Sequence, residues 1–236
     1  MTSKINLLPQ FNPSVFHPLY LIRNRLLHHL KYFVPKLTGK ILDFGCGIKP
    51  YQSLFTVEQY VGVDYAGEGE TYTKENADYI YDGHTLPFAN NTFDGIFSTE
   101  VAEHVFNLPE IIVELHRVLK TKGVILITCP FTMPEHETPN DFARYTSFAI
   151  KYLLEKNNFE ILEYRKTGNF IEAVFQLWII YIDQSILHIF KNIPVLRSLL
   201  RNSIYGTLNV FALAASAVLP NNRALYLNNI ILAKKQ

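Results

Sequence analysis

Cysteine is scarce in this 236-residue sequence: only Cys46 and Cys129 occur. That excludes a disulfide scaffold and suits a reducing compartment. Charge of one sign is also lacking, because 22 Lys and Arg face 21 Asp and Glu for a formal charge of +1. Such a balance excludes the strong basic field of a nucleic-acid binder and gives no overall pull toward anionic lipid. None of the eight histidines pairs with a cysteine at zinc-ligand spacing, so no metal is expected. The start, MTSKINLLPQFNPS, has no charged segment followed by a continuous apolar core. No signal peptide is therefore expected, and a cytoplasmic location, open to membrane association, is the default expectation. Repeats and low-complexity tracts are absent.

What is present is apolar. Residues of hydrophobic type make up 48% of the chain and charged ones 18%, enough to bury a sizeable core. SVFHPLYLIRNRLLHHLKYFV reads as an amphipathic helix that ends near Pro35 and packs on the adjoining domain. From residue 40, KILDF, YVGVD, DYIYD, FDGIFS and GVILITC read as strands. NLPEIIVELHRVLK reads as a helix with Asn107 as cap, Glu110 completing a capping-box-like start and Gly123 past its end. A polar loop FTMPEHETPNDFARYT, a helix SFAIKYLLEKN and a strand FEILEYRK come next. Alternating strands and helices predict a doubly wound α/β sheet. We divide the single domain into an N-terminal helical segment 1–38, a core 39–168, an apolar helical insertion 169–223 and a closing strand 224–236.

KILDFGCGIKPYQ poses the functional question, since a strand entering a tight glycine turn and then a helix is how α/β proteins hold a nucleotide. A phosphate loop fails, because Pro50 follows Lys49 where a hydroxyl residue is needed. A dinucleotide fold wants a third small residue where Pro50 stands, and Asp43 is poorly placed beside a pyrophosphate. S-adenosylmethionine carries a sulfonium and an ammonium but no phosphate, and Asp43 would stabilise both through charge. Gly45 and Gly47 would let the backbone approach it. Asp64 ends the next strand, where an acid can accept both ribose hydroxyls, and Asp82 with Gly83 follows the third, suited to an adenine ring. Three aspartates at three successive strand ends mark the edge where open α/β sheets bind ligands.

ILDFGCG, VGVDYA, DGHTLPFANNTFDGIFSTEVAEHV and HRVLKTKGVILIT resemble, in order, the motifs of class I S-adenosylmethionine-dependent methyltransferases, from about residue 40 to 130. The resemblance implies a Rossmann-like sheet of seven strands with an antiparallel last strand, which ALYLNNIILAKK would supply. It implies that Asp43, Gly45 and Gly47 surround the methionine end, Asp64 holds the ribose, and Asp82 and Gly83 meet the adenine. Cys46, Tyr65 and Thr99 complete the expected cofactor-binding set, Cys46 as a small side chain and not a nucleophile. HETPNDFARYTS further resembles a loop of bacterial members linked to surface polysaccharide or glycolipid assembly. The implied acceptor is a small molecule or lipid-linked glycan, with no nucleic acid.

Transfer to a hydroxyl needs a proton acceptor. The candidates are His104, His136 and Asp141, with Glu100, Arg144 and Tyr145 on the substrate. Asp141 and Arg144, three apart, could instead pair and brace the helix start. His28 and His29 read as surface residues. The insertion reads as a helical cap on the sheet or in a homodimer interface, or else as a lid resting on a membrane surface, with a transmembrane anchor third. Other readings of the chain are methylation of a quinone or another small aromatic, and a cofactor-binding regulator without turnover. A nicotinamide dehydrogenase is disfavoured by Asp43 and Pro50.

Overall fold

The computed structural model describes residues 7–65 and 76–236. Residues 1–6 of the N-terminal segment and Ala66 of the VGVDYA motif lie outside the described residues.

Seven strands form one sheet in the order β3-β2-β1-β4-β5-β7-β6. They are β1 (Lys40–Phe44), β2 (Gln59–Tyr65), β3 (Tyr79–Tyr81), β4 (Phe93–Thr99), β5 (Leu119–Pro130), β6 (Phe159–Lys166) and β7 (Asn228–Lys235). The first five pair in parallel, and β7 runs antiparallel to both β5 and β6. This is the Rossmann-like arrangement with a reversed last strand that the motifs implied. Successive strand residues point to opposite faces. Leu42, Ile96, Ile125 and Ile127 meet helices α2 (Leu108–Val118) and α3 (Ser147–Lys156), whereas Ile41, Phe97 and Leu126 meet α1 (Tyr20–Phe33). Helix α2 buries Leu108, Ile111, Ile112, Leu115 and Val118, an apolar stripe at helical spacing. Each such side chain, fully buried, contributes about 1.5–3 kcal/mol.

Residues 169–223 are helical but broken into α4 (Phe170–Tyr181), a π-turn and a 3-10 turn, and α5 (Pro194–Val218). They pack on the N-terminal segment through Leu21, Ile22, Ala173, Ile179, Tyr205 and Ala212. Buried polar side chains fix the contact. Gln176 accepts from the Ile22 amide at 3.1 Å and donates to the Pro18 carbonyl at 2.7 Å, satisfying an orphan donor in the first turn of α1. Asn209 donates to the Val15 and His17 carbonyls, and buried Glu172 pairs with Arg25.

Several sequence expectations need correction. Helix α1 begins at Tyr20 and not Ser14, and α2 turns directly into β5 at Leu119, so Gly123 lies within a strand. Asn107 sits at the N-cap, but its amide donates to the Gly83 carbonyl and to Glu110, capping no helix N–H. The closing strand starts at Asn228 and not residue 224. His28 is exposed as expected; His29 is partly buried, and burial drives its pKa down to about 4.

Candidate active site

At the C-terminal edge of the parallel strands opens a cleft of about 890 Å³. Strand β6 runs in the same sense as β5, so the insertion after it begins at this same edge. The glycine turn after β1 lines the cleft, with φ +69° at Gly45 and +47° at Gly47, backbone that side chains rarely adopt. A Cβ on Gly45 would stand 2.5 Å from Val101, whereas one on Gly47 would meet nothing. The expected helix after the turn does not form. Lys49 takes φ +52°, Pro50 follows, and only a 3-10 turn over Gln52–Leu54 appears. Lys49 is tied to Asp78 at 2.8 Å. The turn therefore lacks both the helix N-terminus and the lysine that a diphosphate would use.

Acids line the cleft instead. Asp64 accepts from the Gly47 amide at 2.8 Å and from the Tyr65 amide at 2.9 Å, joining the ends of β1 and β2. Asp43 is buried and takes the Tyr60 hydroxyl at 2.5 Å. Burial pushes its pKa up to about 7, the state of a carboxyl waiting for a cation. Asp82 is held below the ordinary carboxylate range by the Thr85 and His84 amides. Gly83 and Thr99 line the same cleft, as do Cys46 and Tyr65. Cationic methionine and a neutral nucleoside fit this set of open glycine backbone and strand-end acids; a diphosphate does not.

The Asp43 carboxyl makes the cofactor-free protein pH-sensitive. From about pH 4 to 7 the unfolded chain has released this proton while the folded chain retains it, so stability falls as pH rises through that window. Asp43→Asn should abolish on the order of 4 kcal/mol of that decline. Thermal unfolding of both proteins from pH 4 to 8 checks this, read as the difference between them. Parallel curves would refute it.

Beyond the cofactor half, Glu100 follows β4 with φ +53°. It is half-buried, accepts from Thr128 at 2.8 Å and from Asn228 at 2.7 Å, and desolvation of its carboxyl raises its pKa. His104 and His136 line the cleft with ring centroids 4.9 Å apart. Asp141, Arg144 and Tyr145 do not line it, and of the two readings offered for Asp141 and Arg144 it is the mutual brace that forms. Asp141 accepts from both Arg144 terminal nitrogens at 2.6 Å and from the His136 amide at 2.9 Å. Its pKa falls to about 2, chiefly through Arg144, so it is no proton acceptor near neutrality. Arg144 spends its remaining donors on the Met133, Pro134 and Ala143 carbonyls. The pair braces the loop, and Tyr145 packs against the core. Sequence reasoning missed Arg23, Phe106, Met133 and Phe142, which also line the cleft. No local signal marks them, because the fold alone brings residues 23 and 142 to one strand edge.

The fold and site together define a class, the Rossmann-like binders of S-adenosylmethionine. Residues 42–127 match the family model described as a methyltransferase domain. The malonyl-acyl-carrier-protein O-methyltransferase of Legionella pneumophila is 28% identical over 146 residues, 54% of this chain and 50% of that one. Phosphoethanolamine N-methyltransferase 2 of Haemonchus contortus, solved with S-adenosyl-L-methionine, superposes with TM-score 0.54 at 19% identity, over 100% of this chain and 60% of that one. An S-adenosylmethionine-dependent methyltransferase of Mesorhizobium loti gives TM-score 0.52 at 11% identity, over 95% and 100%. The chain spans between 21% and 66% of the length of the curated relatives it matches. Residues 42–127 are thus similar to a methyltransferase domain, and the cofactor that this core takes is S-adenosylmethionine.

Proposed function

We propose that the whole chain methylates a hydroxyl of a polyhydroxylated acceptor, a sugar carried on a lipid. The observation that carries this reading is the His104–His136 pair on the wall of the cofactor's own cleft, beside Asn107, Glu110, Glu137 and Asn140. These polar groups suit hydroxyls, and the edge-to-face rings of Phe106 and Phe142 offer a sugar an apolar face. When bound, S-adenosylmethionine supplies a sulfonium methyl group that passes to the acceptor oxygen, the electron pair of the broken bond staying on sulfur, so the acceptor need only lose its proton. The histidine pair is placed to ease that loss, and the glycine turn and Asp64 set the approach. A carboxylate acceptor, suggested by the Legionella relative's name, would call on Arg23.

The lipid part of the proposal rests on the insertion. Phe170–Phe190 is long and apolar enough to cross a membrane by length and composition, with 33% of its apolar window buried. Trp178 stacks on Tyr181, both about half exposed, and Ile189, Val195, Leu199 and Phe211 are exposed beyond them. No Asp or Glu occurs after Asp183, whereas Lys191, Arg197, Arg201 and Arg223 do. The near-neutral whole-chain charge thus conceals a basic, apolar surface of the kind that rests on anionic lipid. We expect transfer of labelled methyl to a lipid-linked sugar in phosphatidylglycerol vesicles, and roughly tenfold weaker vesicle sedimentation for Trp178→Ser/Tyr181→Ser. Methylation of a soluble quinone or malonyl thioester, with none on sugars, would overturn the reading.

A further inference from the structure

We propose that Glu103, His104 and His136 form a binding site for a first-row divalent cation, zinc by its ligand chemistry, on the wall of the cofactor cleft. One ligand atom from each lies within 4.8 Å of the other two. Glu103 is fully buried, yet neither of its carboxylate oxygens has a hydrogen-bond partner among the described residues. Leaving two buried acceptors unsatisfied is costly, and a native carboxylate in that state calls for an explanation. A cation supplies one.

The histidines are oriented for it. His104 Nδ1 lies 2.7 Å from the Asn140 carbonyl; His136 Nδ1 lies 3.1 Å from the Pro134 carbonyl and 3.2 Å from Asp141, with the Arg144 Nη2 donor also 3.2 Å away. A proton on Nδ1 donated to a carbonyl or carboxylate leaves the Nε2 lone pair outward, which is how protein surroundings prepare imidazole for a metal. His104 Nε2 is 3.7 Å from Glu103 Oε1 and 3.7 Å from Glu137 Oε2. The braced pair of Asp141 and Arg144 thus acquires a purpose, since Asp141 takes both the His136 amide and its ring. Two imidazoles and one carboxylate suit zinc, and three protein ligands leave a further position open. Because His104, His136 and Glu137 line the cleft, that position borders the space for the acceptor. A cation there would lower the pKa of an acceptor hydroxyl, replacing an imidazole base. This role rests on the hydroxyl reading above; the cation site does not.

The test is equilibrium dialysis of the full chain against zinc, with cobalt(II) as a spectroscopic probe. We expect one ion per chain and the visible absorption of four-coordinate cobalt. Glu103→Gln, which keeps the side-chain volume, and His136→Gln should each weaken binding on the order of 100-fold. The exposed His28→Gln should leave it unchanged. Calorimetric binding of S-adenosylhomocysteine by the same samples shows that the variants are folded. Absence of stoichiometric metal, or binding indifferent to Glu103→Gln and His136→Gln, overturns the site even where cofactor binding and methyl transfer persist. Stoichiometric metal without hydroxyl methylation would leave the site standing and defeat the hydroxyl reading alone.

Discussion

Asp64→Ala should bind S-adenosylhomocysteine at least about 100-fold more weakly than the wild-type protein in calorimetric titration. The Asp64 carboxylate gathers the Gly47 and Tyr65 amides and so fixes the open turn, and the motif resemblance implies that it also holds the ribose. Hydrogen bonds to a charged group contribute about 1.5–3 kcal/mol each, and two ribose hydroxyls lost with their acceptor correspond to at least that factor. Asp82→Asn should cost less, about tenfold, because Asp82 is exposed and its Oδ1 is engaged by the His84 and Thr85 amides. Binding by Asp64→Ala within fivefold of the wild type would defeat the placement of the nucleoside.

Asp141→Ala should lower the melting temperature by about 10 °C, corresponding to roughly 3–5 kcal/mol for a guanidinium stripped of its carboxylate partner. The Asp141 side chain is 2% exposed, and its two oxygens hold Arg144 and the His136 amide. Turnover should fall with it, because His136 loses its anchor. Affinity for S-adenosylhomocysteine should stay within a few-fold, since neither Asp141 nor Arg144 lines the cleft. Measurements well below the reduced melting temperature separate the two effects. A small thermal shift with a selective rise in acceptor KM would instead return Arg144 to the substrate.

The strand edge that lines the cleft is legible in the sequence because local rules write it. Alternating apolar runs give β1 to β4 and β6 to within about a residue, but β5 only from Gly123 where the strand starts at Leu119, and each aspartate stands at a strand end where the chain leaves the sheet. Resemblance supplied the antiparallel last strand. Between the two readings of Arg144, substrate ligand and brace with Asp141, the sequence could not choose, because it displays a guanidinium but not the Met133 and Pro134 carbonyls that absorb its donors. His104 and His136 were named separately, 32 positions apart, and only the fold set their rings edge to face. The anchoring of Glu100 by Asn228, across 128 positions, was beyond any local pattern.

Strand β7 lies between β5 and β6, so among the described residues the last strand of the sheet is also the one neighbour β6 has. During vectorial synthesis, residues 40–130 can close a parallel core early, while β6 must wait without a partner for roughly sixty residues. The same delay applies to α1, whose Leu21 and Ile22 gain their cover only when α4 and α5 arrive. Closing so distant a pairing makes for slow folding and leaves edges exposed in the interim. A nascent chain of this protein therefore carries a bare strand edge and an apolar insertion at the same time, the condition in which a chaperone would meet it.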